Sequence, residues 1–431
     1  MKRRLFSILM AATLCLALCV SAGAYQITIR TMTKSFPLEV ELSDTVLAIK
    51  TKVQEKEGIP PDQQQLSFSG RILEENQTLA DYNIQQDDEI QLALRSIGTE
   101  GTTELSDIHE ALNATGDASI KLLNDIDYSD VMTVQNNLTL DLNGHVLNLS
   151  SSGESRITVE GNGSLTIIDS NPTAEHRFTP GVNGLWGLDE NNGTKTVKGG
   201  VITGGHATNG GGVYVAAGGR LTMTGGNIVG CSAAEVGGGV CIDGLRGTTV
   251  DQTAFTMTGG SITGCLAAGT DGGGGVNVTG GTFTMSGGSI TECTAHDSDL
   301  SISTSTGGGV HIRNGGSFTM SGGTIQNCKS SGDRAYGGGV YVGTGQFTMN
   351  GGSIAGCRAE GTSVSEKFAW GGGVYNNGGS FTMNDGTIAS DCTADGSGGG
   401  VYNEKTLYAN GGEIAGDVVN GIPGQTTGTI T

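Results

Sequence analysis

Charge is scarce in this sequence, and positive charge is the scarcer kind. Only 15% of the 431 residues are charged, and 23 Lys and Arg stand against 43 Asp and Glu, leaving a net charge of −20. A chain this acidic repels phosphate backbones and anionic lipid, so nucleic-acid binding is not expected. Long apolar runs are missing after residue 20. The single run, 5–20, is short for a membrane helix, so stable membrane insertion is not expected either. Clustered catalytic groups are also lacking. His109, His145, His176, His206, His296 and His311 stand singly, and Asp297 and Asp299 lie together with nothing basic beside them. Glycan-cleaving sites need grouped carboxylates and a nearby Arg or Lys. The sequence therefore predicts no enzyme and no cofactor. Calcium-binding glycine repeats of the GGxGxD kind are absent, because valine follows the glycines.

What is present begins with a leader. Lys2-Arg3-Arg4 precede the uncharged run, and Ala22-Gly23-Ala24 supply small residues of the type a signal peptidase reads. Residues 1–24 are read as a signal peptide cleaved after Ala24, giving a secreted or extracellular protein. Neither Cys15 nor Cys19 follows the small residue that a lipoprotein signal requires, and the C-terminal TTGTIT carries no sorting motif.

Residues 25–98 read as one small domain. QITIRTM and FPLEVEL alternate as strands around a short connection, which predicts a hairpin. Val46, Ile49 and Val53 have helical spacing within 45–57, with Gly58 placed to end the helix and Pro60-Pro61 to stop it. QLSFSG and EIQLALR add further strands. LEVELSDT (38–45), KEGIPPDQQQL (56–66) and TLADYNIQ (78–85) then resemble ubiquitin, each differing from it at one position. That resemblance implies an α+β ubiquitin-like β-grasp fold. It also implies a recognition face at Met32, Ser67, Gln91 and Ala93, altered because Ser67 stands where the family has an isoleucine. Conjugation needs a free C-terminal Gly-Gly, whereas this chain reads LRSIGTE at 94–100 and continues. Lys50, Lys52 and Lys56 persist at positions the family uses for chain linkage, and on a helix they suit a solvated face equally well.

Residues 99–120 read as a linker and a capping helix, with Ser106 as N-cap and Ile108 and Leu112 on one face. Residues 121–198 alternate as short strands, and DLNGHVLNL resembles segments of secreted bacterial proteins with pectate-lyase-like β-helices. From 199 to 431 the chain is glycine-rich and repetitive: 76 of its 431 residues are Gly, against a usual ~7%. GGGV, FTM and GGxIxxC recur in order. Val213, Val240, Val276, Val310, Val340, Val374 and Val401 mark a register that steps by 27, 36, 34, 30, 34 and 27 residues. A period near 30 with short strands predicts an all-β parallel β-helix whose repeats share one core. Propeller blades need about 40–45 residues, so these units are too short for them.

From Phe or Leu to Cys the count is ten in five repeats and eleven in the sixth, so length variation falls at corners that are read as loops. Tyr336, Phe368 and Trp370 are the candidate loop contacts. Cys231, Cys265, Cys293, Cys328, Cys357 and Cys392 recur at one place, which predicts a ladder spaced ~4.8 Å. Buried thiols and disulfides between neighbours both fit that spacing. A linear row cannot surround zinc tetrahedrally, so no metal is expected. The functional expectation is an exported bacterial, non-enzymatic, adhesin-like protein that contacts a host protein or glycan surface through its loops. A ubiquitin mimic engaging ubiquitin receptors or enzymes is the alternative, and a glycan-active enzyme the second.

Overall fold

The computed structural model describes residues 24–31, 34–57, 59, 61, 64–69, 71–94, 97–100, 103–105, 108, 112, 116–128, 131–149, 156–244, 253–297, 303–363, 368–421 and 426–428. The expected leader, Met32 and Gly58 lie outside them. Two compact units divide the chain, Met1–Arg95 and Ser96–Thr431.

In the first unit, β1 (Tyr25–Arg30) and β2 (Ser35–Val40) pair antiparallel along their whole length. Alternation turns Ile27, Ile29, Phe36, Leu38 and Val40 inward. β3 (Gln64–Phe68), β4 (Arg71–Ile72) and β5 (Glu89–Leu94) complete a mixed sheet of order β2-β1-β5-β3-β4, with β1 and β5 parallel. The helix α1 (Val46–Glu57) buries Val46, Ile49 and Val53, and Thr45 Oγ1 accepts from the Ala48 amide at 3.2 Å. Lys50 shares that buried stripe and is only 2% exposed, so it does not lie on a solvated face. Its stem packs in the core while its ammonium reaches Glu75 at 2.7 Å. Lys52 pairs with Asp44 at 2.6 Å.

The second unit begins with β6 (Ile97–Glu100), β7 (Thr103–Leu105) and β8 (Ala118–Lys121). β6 pairs antiparallel with both β7 and β8. The segment read as a linker is therefore strand, and Ile97 and Gly98 belong to this unit. Ile108 and Leu112 are helical and pack on the core of the repeats.

Beyond β8, residues 175–198 apart, the strands run parallel and in register from repeat to repeat. The GGGV valines form one column of a sheet running from Met132–Val134 to Val418–Asn420. FTM and GGxI strands form two more columns, as in Phe283↔Phe318 and Ile290↔Ile325. Val, Phe, Met, Ile and Cys point inward and share one core. In-register pairing stacks Phe255, Phe283, Phe318, Phe347 and Phe381 with centroids 4.7, 4.6, 4.9 and 4.9 Å apart, the spacing of neighbouring strands.

Two glycine positions explain the motif. The residue before Cys is left-handed in five repeats: Gly230, Gly264, Glu292, Asn327 and Gly356, with φ between 51° and 62°. The sixth repeat has Asp391 there, one residue longer and without that conformation. At the third Gly of GGGV the sheet and the thiol row approach closely. A Cβ on Gly339 would lie 2.6 Å from Gly373 O and 3.3 Å from Cys357 Sγ.

The corner after Cys departs from the reading as loops. It carries a fourth parallel sheet, from His206–Asn209 to Thr393–Ala394, and a short fifth of Thr304–Thr306, Arg334–Tyr336 and Phe368–Trp370. Residues 175–198, expected to continue the parallel pattern, form an antiparallel flap of Glu175–Pro180, Trp186–Leu188 and Lys195–Lys198. Phe178, Trp186 and Val197 cover Val201 and Val229, and Lys195 grips Glu292 through both carboxylate oxygens at 2.8 and 2.9 Å.

Candidate functional site

The three candidate aromatics lie together, on strands and not in loops. Tyr336 and Trp370 end successive strands of the short fifth sheet and pair in register, which puts their rings face to face at 5.4 Å. Phe368 meets Trp370 edge-on at 6.0 Å and carries the Arg334 guanidinium over its ring at 5.7 Å.

Three further tyrosines join them. Tyr341, Tyr375 and Tyr402 follow the inward valine of three successive GGGV strands, so alternation points them outward and register stacks them. Tyr336 stacks on Tyr375 at 5.0 Å and Trp370 on Tyr402 at 5.2 Å. The VY pair of GGGVYV and GGGVYN was the available signal, and the fifth sheet supplies the rings that stack on it. Tyr341 and Tyr375 are buried, whereas Tyr336, Phe368, Trp370 and Tyr402 remain half-exposed.

Face-to-face stacking leaves ring edges of Tyr336, Phe368, Trp370 and Tyr402 facing solvent. Burial, and then the Glu404 carboxylate, push the Tyr375 and Tyr402 phenols up, so both stay protonated donors at neutral pH. Asn377 Nδ2 donates to the Tyr341 hydroxyl at 2.8 Å. The result is a strip of apolar edges with hydroxyl donors, an amide and a carboxylate. Those groups match an uncharged polyhydroxylated ligand, which offers C–H edges and hydroxyls of both kinds.

At the upper end of the tyrosine column His311 is 3% exposed and meets Tyr341 edge-on at 4.8 Å. Burial pulls it down to about 4, and Arg313 adds to this; the Asp271 carbonyl against Nδ1 and the Asp271 charge oppose it. His206 Nδ1 meets the Ser232 hydroxyl at 2.9 Å and His296 Nδ1 the Ser331 carbonyl at 3.1 Å, and two further histidines face carboxylates. Asp125 lies 3.3 Å from His145 Nδ1, and Glu190 lies 2.9 Å from His176 Nδ1. The second ring nitrogen of His176 reaches Gly144 O at 2.9 Å, so that ring is held at both ends.

The repeat cysteines stand in a row. All seven described cysteines are reduced and buried, and each of Cys231, Cys265, Cys293, Cys328, Cys357 and Cys392 is in thiol contact with the next. Burial pushes the Cys293 and Cys328 thiols well above their usual range. Cys265 and Cys293 also approach the carbonyls of Ile228 and Ile262, at 3.7 and 3.5 Å. Buried thiols facing carbonyl oxygens pack as small apolar groups. Cys241 stands apart in the outward column, between Tyr214 and Asn277. Among the described residues no His, Cys, Asp or Glu group is arranged to hold a metal ion, and no helix is long and apolar enough to cross a membrane.

The altered recognition face of the first unit is partly in view. Ser67 and Gln91 are direct cross-strand partners, Ser67 half-buried and Gln91 exposed. Ala93 lies on β5 opposite Gln65, while its side chain, like Met32, is outside the described residues. The visible pair is polar and makes no apolar patch.

Comparison with known proteins finds likeness in this first unit. The family model described as the ubiquitin family matches residues 27–97. A NEDD8-like protein, RUB3, of Arabidopsis thaliana is 37% identical over 70 residues, which are 16% of this chain and 90% of the relative. The ubiquitin-like protein NEDD8 of Dictyostelium discoideum is 35% identical over 69 residues, again 16% of this chain and 90% of the relative. The NEDD8-like protein RUB1 of Saccharomyces cerevisiae is 36% identical over 69 residues with the same coverage.

Proposed function

Because the chain belongs to the ubiquitin family through its first unit, we propose that it is a family member turned from conjugation to scaffolding, on an exported, non-enzymatic, adhesin-like bacterial protein. The parallel-strand unit is a right-handed β-helix of the pectate-lyase-like type, and it engages a host or carbohydrate surface. The observation that carries this reading is the half-exposed strip of Tyr336, Trp370 and Tyr402 beside Glu404. Aromatic edges and phenols supply adaptable contact at low entropy cost, since each ring has only two rotatable bonds. The leader at 1–24 supports export. Residues past Leu94 support the loss of conjugation: Ile97–Glu100 is tied into a sheet of the second unit, where no free carboxylate is presented.

Mucin and glycan-array binding by the full chain tests the reading. Binding that falls at least tenfold in Trp370→Ala is the expected result. Release of reducing ends from any bound polysaccharide would replace it with a glycan-active enzyme.

A second reading has its own support. The first unit covers 90% of NEDD8-like relatives at 35–37% identity, which suits a mimic engaging ubiquitin receptors or enzymes. Ser67 and Gln91 weigh against it, because replacing an isoleucine with serine removes on the order of 1.5–3 kcal/mol of buriable apolar surface. Pull-down of a ubiquitin-receptor panel with the full chain separates the two readings.

A further inference from the structure

One face of the second unit holds almost no charge. Along the seven FTM-type strands from Arg220–Met223 to Thr406–Ala409, the inward residues are Phe, Leu, Met or Ala and the outward ones are half-buried or exposed. The central outward row is Thr222, Thr256, Thr284, Thr319, Thr348 and Thr382, each paired in register with the next, and Tyr408 takes the seventh place. Flanking rows add Ser, Thr, Asn, Gln and Ala254, and charge enters at Arg220 and at Asp385, which stands in register with Asn350. At the far edge the amides continue the order: Asn384 donates to Asn350 at 2.7 Å and Asn410 to Asn384 at 2.8 Å.

A soluble surface ordinarily carries about 25–35% charged residues with both signs mixed. A neutral face of this length on a chain of net charge −20 therefore marks where charge has been kept out. Its regularity is the second feature. Parallel strands fix the hydroxyl rows at about 4.7–4.9 Å, and β-branched threonine has few rotamers to lose on contact.

We propose that this threonine face is a docking surface for an extended, uncharged polysaccharide lying along the stacking direction. One pyranose of an extended, equatorially linked chain advances by nearly one strand spacing, so successive sugars meet successive threonines. Each threonine offers a hydroxyl to a sugar hydroxyl and a methyl to a ring C–H. Charge selects the class. An anionic polymer is repelled by the acidic protein and finds no cation row here, whereas a neutral one meets no penalty. The inference rests on the glycan-binding reading but uses a different surface from the aromatic strip.

The full chain is tested for retention on amorphous cellulose and xylan, with polygalacturonate as the anionic polymer, at low and high salt. Retention on the neutral polymers, unchanged by salt and absent on polygalacturonate, is expected. Thr284→Lys/Thr319→Lys/Thr348→Lys should weaken it at least tenfold. Thr284→Val/Thr319→Val/Thr348→Val, which keeps the sheet-forming shape, should weaken it similarly at an unchanged melting temperature. Loss in Trp370→Ala with full retention in both threonine triples overturns this proposal and leaves the aromatic strip as the glycan site. Wild-type chain that binds mucin glycans but neither neutral polymer also overturns it. Failure to bind any glycan overturns both readings.

Discussion

At the residue scale, His311 is the clearest case of environment deciding chemistry. It stays neutral to about pH 4 because burial disfavours its cation, with Arg313 close by. An unfolded chain protonates it near 6.5. The stabilisation is thus fully present above about 6.5 and is lost as pH falls through about 4. The total is on the order of 3 kcal/mol. His311→Asn, matching Asn277 one strand away, should flatten the pH dependence of urea-unfolding stability between 7 and 4 relative to the parent chain. An identical slope in both would refute the assignment. Glycine gives a second residue-scale test. Gly339→Ala forces a methyl against the Gly373 carbonyl and should cost about 1–3 kcal/mol in denaturant titration. Gly187→Ala has only one atom at 4.0 Å and should change stability by less than about 0.5 kcal/mol.

At the element scale, the repeats behave as interchangeable layers because each strand pairs only with its equivalents. Removing residues 310–339 joins Gly309 to Val340 and deletes one whole layer, since Val310 and Val340 are register partners. The shortened chain is expected to keep its circular dichroism and protease resistance, whereas removing 310–324 should destroy both. Phe318 lies inside the ring stack, 4.6 Å from Phe283 and 4.9 Å from Phe347. Phe318→Ala should cost about 3–5 kcal/mol in the same titration.

This is also the scale at which the sequence was most and least legible. The valine, Phe-x-Met and isoleucine columns follow from alternation, and the cysteine row follows from its nearly fixed distance after each Phe-x-Met strand. The fourth and fifth sheets did not show. Their segments, such as SAAEV and FAW, vary in length and composition, and they pair only because the columns before them set the register. The flap at 175–198 was hidden for another reason: an antiparallel hairpin alternates with the same period of two as a parallel strand. Tyr336, Phe368 and Trp370 could be named from sequence, but Tyr341, Tyr375, Tyr402 and Glu404 needed the folded arrangement that stacks them. Lys50 was misread for a plainer reason. Its charge suggested solvent, while its position at i+4 from Val46 places it on the buried stripe.

At the scale of the whole molecule, two units of different fold share one chain. The first has the core of a conjugating family without the free end that conjugation uses; the second offers length and repeated surface. The proposed division of labour puts binding on the second unit and leaves the first as a scaffold. The most direct measurement is a glycan array probed with the full chain and with a Trp370→Ala/Tyr402→Ala variant, with reducing-end release assayed on every hit. The account requires saturable binding by the parent chain, at least a tenfold loss in the variant, and no product. Equal binding by both chains, or steady release of cleaved glycan, would contradict it.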